Sequence, residues 1–225
     1  MSNRYFIFDF DGVVADTEDV FAKFDCSIIN EYLPRAGSGY KVPYDIMRGL
    51  AGIPGEEKFL TIFKNLDIDP TPFQQEFALD RTERRKLLFE THPVTVGKNL
   101  REFLKKIDGR FALATNKQAH TLQHDMKIIG LDTLFPIIVS ADPPLRRKPE
   151  PDIIIEAMKR LNCQSEDCIY IGDNVADIEA ALAADIIPIG FVIDSIIDKK
   201  SHMAQLKNAG ASMVIDDFYD LKIVS

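Results

Sequence analysis

Two aspartates one residue apart, Asp9 and Asp11, follow the apolar run Tyr5-Phe6-Ile7-Phe8 near the start of the chain. In extended backbone, side chains two apart point to the same side, so both carboxylates face one space while Phe10 turns away. Two unpaired carboxylates this close repel each other, and one must take up a proton unless a cation lies beside them. Gly12 then permits a tight departure from the strand. Other apolar runs end in the same way. Phe111-Ala112-Leu113-Ala114 leads into Thr115-Asn116, and Cys168-Ile169-Tyr170-Ile171 leads into Gly172-Asp173-Asn174, with Asp177 three residues further on. Between them stands Arg146-Arg147-Lys148-Pro149-Glu150-Pro151. Each group alone has an ordinary explanation as a turn, a helix cap or a surface loop. All four being ordinary together is a much stronger requirement.

Carboxylates, a hydroxyl and a lysine gathered at one spot suit phosphoryl transfer. Magnesium takes oxygen ligands from one or two carboxylates and keeps water and phosphate in its shell, which Asp9 and Asp173 can provide. Transfer also needs an in-line nucleophile, charge neutralisation and a proton donor for the leaving oxygen. A carboxylate can be that nucleophile, giving an aspartyl-phosphate. Asp11, one pleat away, is placed to protonate the leaving alcohol and later to take a proton from the hydrolytic water. Lys148 and Thr115 would hold the phosphoryl oxygens.

The elements that must position these groups alternate between short apolar runs and longer amphipathic ones, the pattern of an α/β fold with a parallel sheet. Strands are expected at 5–8, 111–115, 137–139, 168–171, 187–192 and 213–215, and helices at 98–107, 119–129, 151–161, 175–183 and 203–209. In open parallel sheets ligands bind beyond the carboxyl ends of the strands, where the polar residues above would converge. The stretch from 16 to 90 lacks strand-like runs. It shows helical patterns at 17–33, 56–66 and 73–89, broken by Gly37-Ser38-Gly39, by the glycine-rich segment 49–55 and by Asp69-Pro70-Thr71-Pro72. The expected organisation is a Rossmann-like core of 1–15 and 91–225, with a small α-helical domain inserted at 16–90.

The set Asp9-Phe10-Asp11-Gly12-Val13, Thr115-Asn116, Lys148-Pro149 and Gly172-Asp173-Asn174-Val175-Ala176-Asp177 resembles the four ordered motifs of the haloacid dehalogenase superfamily. The likeness extends over essentially the whole chain, and is nearest to the β-phosphoglucomutase-like and phosphoglycolate-phosphatase-like branch. It implies a helical cap inserted after the first strand of a Rossmann-like core. It also implies Asp9 as nucleophile and metal ligand, and Asp11 as general acid/base with its backbone carbonyl on magnesium. Thr115 and Asn116 would bind phosphate, Lys148 would stabilise the transferring group, and Asp173 would ligate magnesium. Asp177 would support the metal or Lys148, with Asn174 and Gly12 in supporting positions. One departure is visible: Ala184-Asp185 stands where the family commonly has Ala-Gly.

Within the resemblance, the acid at Asp11 argues against dehalogenase and phosphonatase chemistry. Mutases usually carry a histidine in the first cap helix, where this chain has Phe21, so hydrolysis is favoured over a β-phosphoglucomutase-like reaction. In the resembled enzymes the loop here at 47–55 faces the active site, making Arg48 the candidate substrate contact and Lys58 a weaker one. A third reading, a catalytically silent binding module on the same fold, is disfavoured because nothing would keep uncompensated carboxylates together in it. The expected substrate is a small phosphorylated metabolite, a sugar phosphate first and a nucleoside monophosphate second.

The formal charge of −8 argues against polyanionic nucleic acid or anionic membrane as a partner. No apolar run is long enough to span a bilayer. The start of the chain lacks a secretory signal, and the three cysteines, Cys26, Cys163 and Cys168, have no metal-ligand spacing; both point to the cytoplasm. His92, His120, His124 and His202 are expected to be structural, the cluster 81–86 to be a solvated helix face, and the chain to be monomeric.

Overall fold

The computed structural model describes residues 4–50 and 53–221, so Ala51 and Gly52 of the expected loop lie outside the described residues. The chain divides into two compact units, one of residues 1–16 and 94–225 and the other of 17–93. The first is built on six parallel strands: β1 (Tyr5–Phe8), β2 (Phe111–Thr115), β3 (Ile138–Ser140), β4 (Cys168–Gly172), β5 (Ile187–Phe191) and β6 (Met213–Ile215). Their order is β3-β2-β1-β4-β5-β6. β1 therefore pairs with β2 on one side and β4 on the other, which makes its carboxyl end the point where the strand order reverses.

The alternation of side chains sorts this core into two faces. Phe6, Phe8, Leu113, Ile169 and Ile171 pack on one face with Phe103, Phe135 and Phe218. Ile7, Ala112, Ala114, Cys168 and Tyr170 pack on the other with Ile153, Ile154 and Ala157. Burial on both faces accounts for the near-continuous apolar strands seen in the sequence.

Among the described residues of 17–93 the regular elements are all helices: α1 (Thr17–Arg35), α2 (Tyr44–Gly49), α3 (Gly55–Asn65), α4 (Thr71–Arg85) and α5 (Leu88–Thr91). Its core is aromatic, with Phe59 stacked on Phe77 at 4.2 Å between centroids and Tyr32 edge-on to both. Beside it, the buried Asp25 carboxylate binds Lys58 at 3.1 Å and Arg81 at 2.7 Å. Two corrections follow. Lys58 is consumed in a buried ion pair rather than offered to a substrate. Arg81 is no part of a solvated face, because helical periodicity turns it inward beside Phe77.

The sheet is flanked by α6 (Leu100–Lys106), α7 (Ala119–Ile128), α8 (Asp152–Leu161), α9 (Val175–Ala183) and α10 (Lys199–Asn208). α10 begins four residues before the expected start, where Asp198 caps it by accepting from the Ser201 N–H. No described helix is long and apolar enough to cross a membrane.

Candidate active site

Asp9 follows β1 directly, and its backbone N–H extends the β1–β4 pairing by donating to Ile171 O at 2.9 Å. That places its carboxylate at the strand-order reversal, where it is 4 % exposed. Lys148 enters from the segment between β3 and α8. Its ammonium stands 2.8 Å from Asp9 Oδ1, 2.5 Å from Asp177 Oδ1 and 2.9 Å from the Tyr170 hydroxyl. Asp173 follows β4, and one carboxylate oxygen from each of Asp9, Asp173 and Asp177 falls within 4.8 Å of the others.

The loop after β4 explains how Asp177 comes to be fixed. Asn174 caps α9 by accepting from the Asp177 N–H at 3.1 Å. In return, Asp177 Oδ2 accepts from the backbone N–H groups of Asn174 and Asp173 at 3.1 and 3.0 Å, closing a capping box. A Cβ on Gly172 would lie 2.2 Å from the Asp177 Cβ, so glycine is required for this approach. Gly12 is constrained twice, by its φ of +78° and by Asp173 Oδ2, 2.1 Å from where its Cβ would stand. His202, on α10, donates from Nε2 to the Asp173 carbonyl at 2.6 Å.

The Asn116 side chain is engaged with the backbone of Lys148. It accepts from the Lys148 N–H at 2.7 Å and donates to the Lys148 carbonyl at 3.2 Å, clamping the lysine main chain. Thr115 is buried, and its hydroxyl accepts from the Lys117 N–H at 3.2 Å. Asp11, beyond Phe10, does not join the Asp9–Asp173–Asp177 group through its carboxylate. Its Oδ1 binds the Lys117 ammonium at 2.9 Å, and the same ammonium binds the buried Asp125 Oδ2 at 2.8 Å.

The electrostatics of this cluster are unbalanced. Burial pushes the Asp9 carboxyl up to about 7, against the opposing pull of Lys148, and Asp177 and Asp11 add to the rise. Partial burial, reinforced by Asp177 and Asp9, drives Asp173 well above the usual carboxylate range. For Lys148, burial works against the charged form, but Asp177 and Asp9 outweigh it and hold the ammonium above its ordinary range. Three carboxylates against one ammonium leave two formal negative charges, and each carboxylate offers one oxygen to a common space. A hard divalent cation fits that charge and donor set.

Arg48 lies in the other unit, in the last turn of α2 and 6 % exposed. The expected loop at 47–55 is thus helical through Gly49, and Arg48 is buried. Sequence reasoning passed over Lys117, Asp125 and Tyr170. For Tyr170 a signal existed, since a buried lysine needs acceptors beyond a single carboxylate.

The geometry agrees with what the chain resembles elsewhere. Residues 6–191 match the haloacid dehalogenase-like hydrolase family model, and the chain belongs to that family. It is 28 % identical to a phosphorylated carbohydrates phosphatase of Thermotoga maritima over 93 % of this chain and 92 % of that one. It is 27 % identical to the pyrophosphatase PpaX of Listeria welshimeri over 89 % and 88 %. Among solved structures, a candidate β-phosphoglucomutase from Thermotoga maritima superposes with a TM-score of 0.77 at 26 % identity, covering 99 % and 100 % of the two chains. A family hydrolase from Deinococcus radiodurans, solved with phosphate and sodium, shares the fold with a TM-score of 0.80 at 23 % identity over 97 % and 93 %.

Proposed function

We propose that this phosphomonoester hydrolase is magnesium-dependent and acts on a small phosphorylated metabolite through an aspartyl-phosphate on Asp9. The observation that carries the reading is the buried contact of Asp9 with Lys148 beside Asp173 and Asp177. A carboxylate held against one ammonium, with surplus negative charge around it, suits a nucleophile that works beside a divalent cation. Asp9, Asp173 and the Asp11 carbonyl would hold that cation, with Asp177 fixing the loop and Lys148. When bound, magnesium supplies positive charge against the phosphoryl oxygens.

The steps belong to the chain's own groups. Asp9 attacks phosphorus in line, a carboxylate–phosphorus bond forms, and the bond to the ester oxygen breaks. Asp11 gives its proton to that departing oxygen. Lys148, the Thr115 hydroxyl and the Asn116 main chain hold the phosphoryl oxygens meanwhile. Asp11 then takes a proton from water, which attacks the aspartyl-phosphate, releases phosphate and restores Asp9. Gly12 and Asn174 serve by letting Asp173 and Asp177 occupy their places.

The helical unit is the cap of this reading and the source of substrate selection, with Arg48 as one contributor. Phe21 packs on Phe89 at 5.9 Å, with the Arg85 guanidinium 4.9 Å from its ring, where the mutase branch usually carries histidine; a phenyl ring cannot carry a proton there, and this supports hydrolysis. Sugar phosphates are the first substrates to try, since the Thermotoga relative is named for phosphorylated carbohydrates. Three free cysteines suit a reducing compartment, and we place the reaction in the cytoplasm of a monomer.

The deciding assay measures phosphate release from a panel of sugar phosphates, nucleoside monophosphates and p-nitrophenyl phosphate. It is run with magnesium, with EDTA and with Asp9→Asn. Release that needs the metal and vanishes in Asp9→Asn is expected. Interconversion of sugar phosphates without net release would move the reading to a mutase. Inactivity towards every ester by folded protein would leave a binding module.

A further inference from the structure

Beside the Asp9 cluster lies a second ionic group, of Lys117, Asp11 and Asp125, from which the reaction above uses Asp11 alone. Lys117 follows Thr115-Asn116 at the end of β2, and its side chain is only 10 % exposed. Its ammonium lies 2.9 Å from Asp11 Oδ1, 2.8 Å from Asp125 Oδ2 on α7, and 5.0 Å from the centroid of the Phe10 ring. Its backbone N–H is tied to the Thr115 hydroxyl. The lysine is therefore fixed from three sides, by β2, by α7 and by the residue between Asp9 and Asp11.

Burying a lysine with an aspartate is poor value as a stabilising device. The desolvation of both groups offsets most of their attraction, and an apolar pair of similar volume is often as stable or more so. Asp125, with a side chain 3 % exposed, would need no lysine if it were a leucine. The arrangement makes sense if Asp125 serves to anchor Lys117, and Lys117 to hold Asp11. An aspartate on a turn can rotate about two side-chain bonds. Fixing one carboxyl oxygen on a buried ammonium narrows the directions open to the group, and proton delivery to a leaving oxygen demands a defined direction.

We propose that Lys117 is a positioning residue for the reaction: anchored by Asp125, it orients the Asp11 carboxyl for proton transfer to the departing alcohol. This rests on the hydrolase reading above, with Asp11 as the proton donor.

The test exploits the difference between leaving groups. A sugar alkoxide needs a proton as it departs, whereas p-nitrophenolate leaves well without one. The parameter is kcat/KM, which covers the steps through alcohol departure. In Lys117→Met, kcat/KM for the best sugar phosphate of the panel should fall by about 30-fold or more, part of the roughly 100- to 10,000-fold that acid–base catalysis supplies. For p-nitrophenyl phosphate it should change by less than about threefold, since that proton is dispensable there. Lys117→Met also strands the buried Asp125 carboxylate, so Lys117→Met/Asp125→Leu is made alongside it. The double variant removes cation and counter-ion together. It should fold and keep the same selectivity between the two esters.

An equal loss on both esters, or sugar-phosphate activity restored in the double variant, overturns the proposal while leaving the hydrolase intact. Failure of both variants to fold assigns Lys117 to stability alone and likewise overturns it. Failure of the wild type to release phosphate, or release that survives Asp9→Asn, sinks the hydrolase reading itself and this inference with it.

Discussion

The Tyr170 hydroxyl accepts a hydrogen bond at 2.9 Å from the same Lys148 ammonium that meets Asp9 at 2.8 Å. The same oxygen lies 3.1 Å from the Ala114 carbonyl and 3.3 Å from Asp177 Oδ1, so its own proton has a partner as well. Tyr170→Phe removes these bonds without changing the packing of the ring. Stability should drop by about 1–2 kcal/mol. Activity should fall by less than about tenfold, since Asp9 and Asp177 still hold the lysine. Urea denaturation and steady-state kinetics check this, and a loss as deep as that of a Lys148 variant would show the tyrosine to be more than a support.

Lys148→Met is the harsher change. It leaves Asp9 and Asp177 buried without their shared cation, a situation that costs about 3–5 kcal/mol when one member of a buried pair is removed. Phosphate release should become undetectable at any magnesium concentration. Recovery of the lost stability in Lys148→Met/Asp177→Leu, with activity still absent, would separate the charge balance of the fold from the chemistry.

Metal-free protein should lose stability as pH rises. The Asp9 carboxyl titrates at about 7 in the folded chain against an ordinary value of 3.8, so the folded state holds its proton more tightly than the unfolded one. That contribution is complete below pH 4 and disappears as pH climbs through 7. Asp173 is shifted in the same direction. Melting temperatures in EDTA should therefore decline between pH 5 and 8, an effect that Asp9→Asn reduces. Added magnesium should raise the melting temperature more at pH 8 than at pH 5, because it competes with those protons. Equal stabilisation at both pH values would contradict the site.

Gly12→Ala should act through the metal rather than through the substrate. Its Cβ meets Asp173 Oδ2, and its φ of +78° suits glycine. Displacing a ligand by such a contact typically weakens metal affinity by about 10–100-fold. The magnesium concentration for half-maximal activity should rise accordingly, with activity partly recovered at high magnesium.

In the helical unit, Asp25→Ala should be costly, because Lys58 and Arg81 would share no carboxylate. About 3 kcal/mol is expected from stranding buried cations. Hydrogen exchange should report the loosening in α1, α3 and α4 before it reaches the sheet.

Much of this was readable from residues alone, for a physical reason. The inner strands β1, β2, β4 and β5, buried on both faces, appear as apolar runs, and all six strands lie within one residue of the expected bounds at either end. The polar residues that follow β1, β2 and β4 must then share one end of the sheet. What escaped depends on contacts between distant positions. Lys117 and Asp125 meet because α7 turns back onto β2, and no local pattern announces it. Asp25 reads as one more polar residue of α1 until α3 and α4 bring Lys58 and Arg81 to it. The run 81–86 misled because its charges are consecutive while a helix turns by 100° per residue. Arg81 points inward, and Glu83 and Lys86 pair on the outside. The short α2 was hidden by Gly49, which closes a helix there.

The insertion leaves and rejoins the sheet domain at a single point. Asp16 donates from its backbone N–H to Thr95 O at 2.8 Å, and Ala15 bridges Val96 alongside. With the two ends stapled together, the sheet domain experiences the intervening residues as a closed loop. The entropy of such a loop grows only logarithmically with its length, about 0.6 kcal/mol for each doubling. The joint is thus tolerant of what is threaded through it. A shorter, longer or wholly different insert could be exchanged at these four residues with little penalty to the sheet domain.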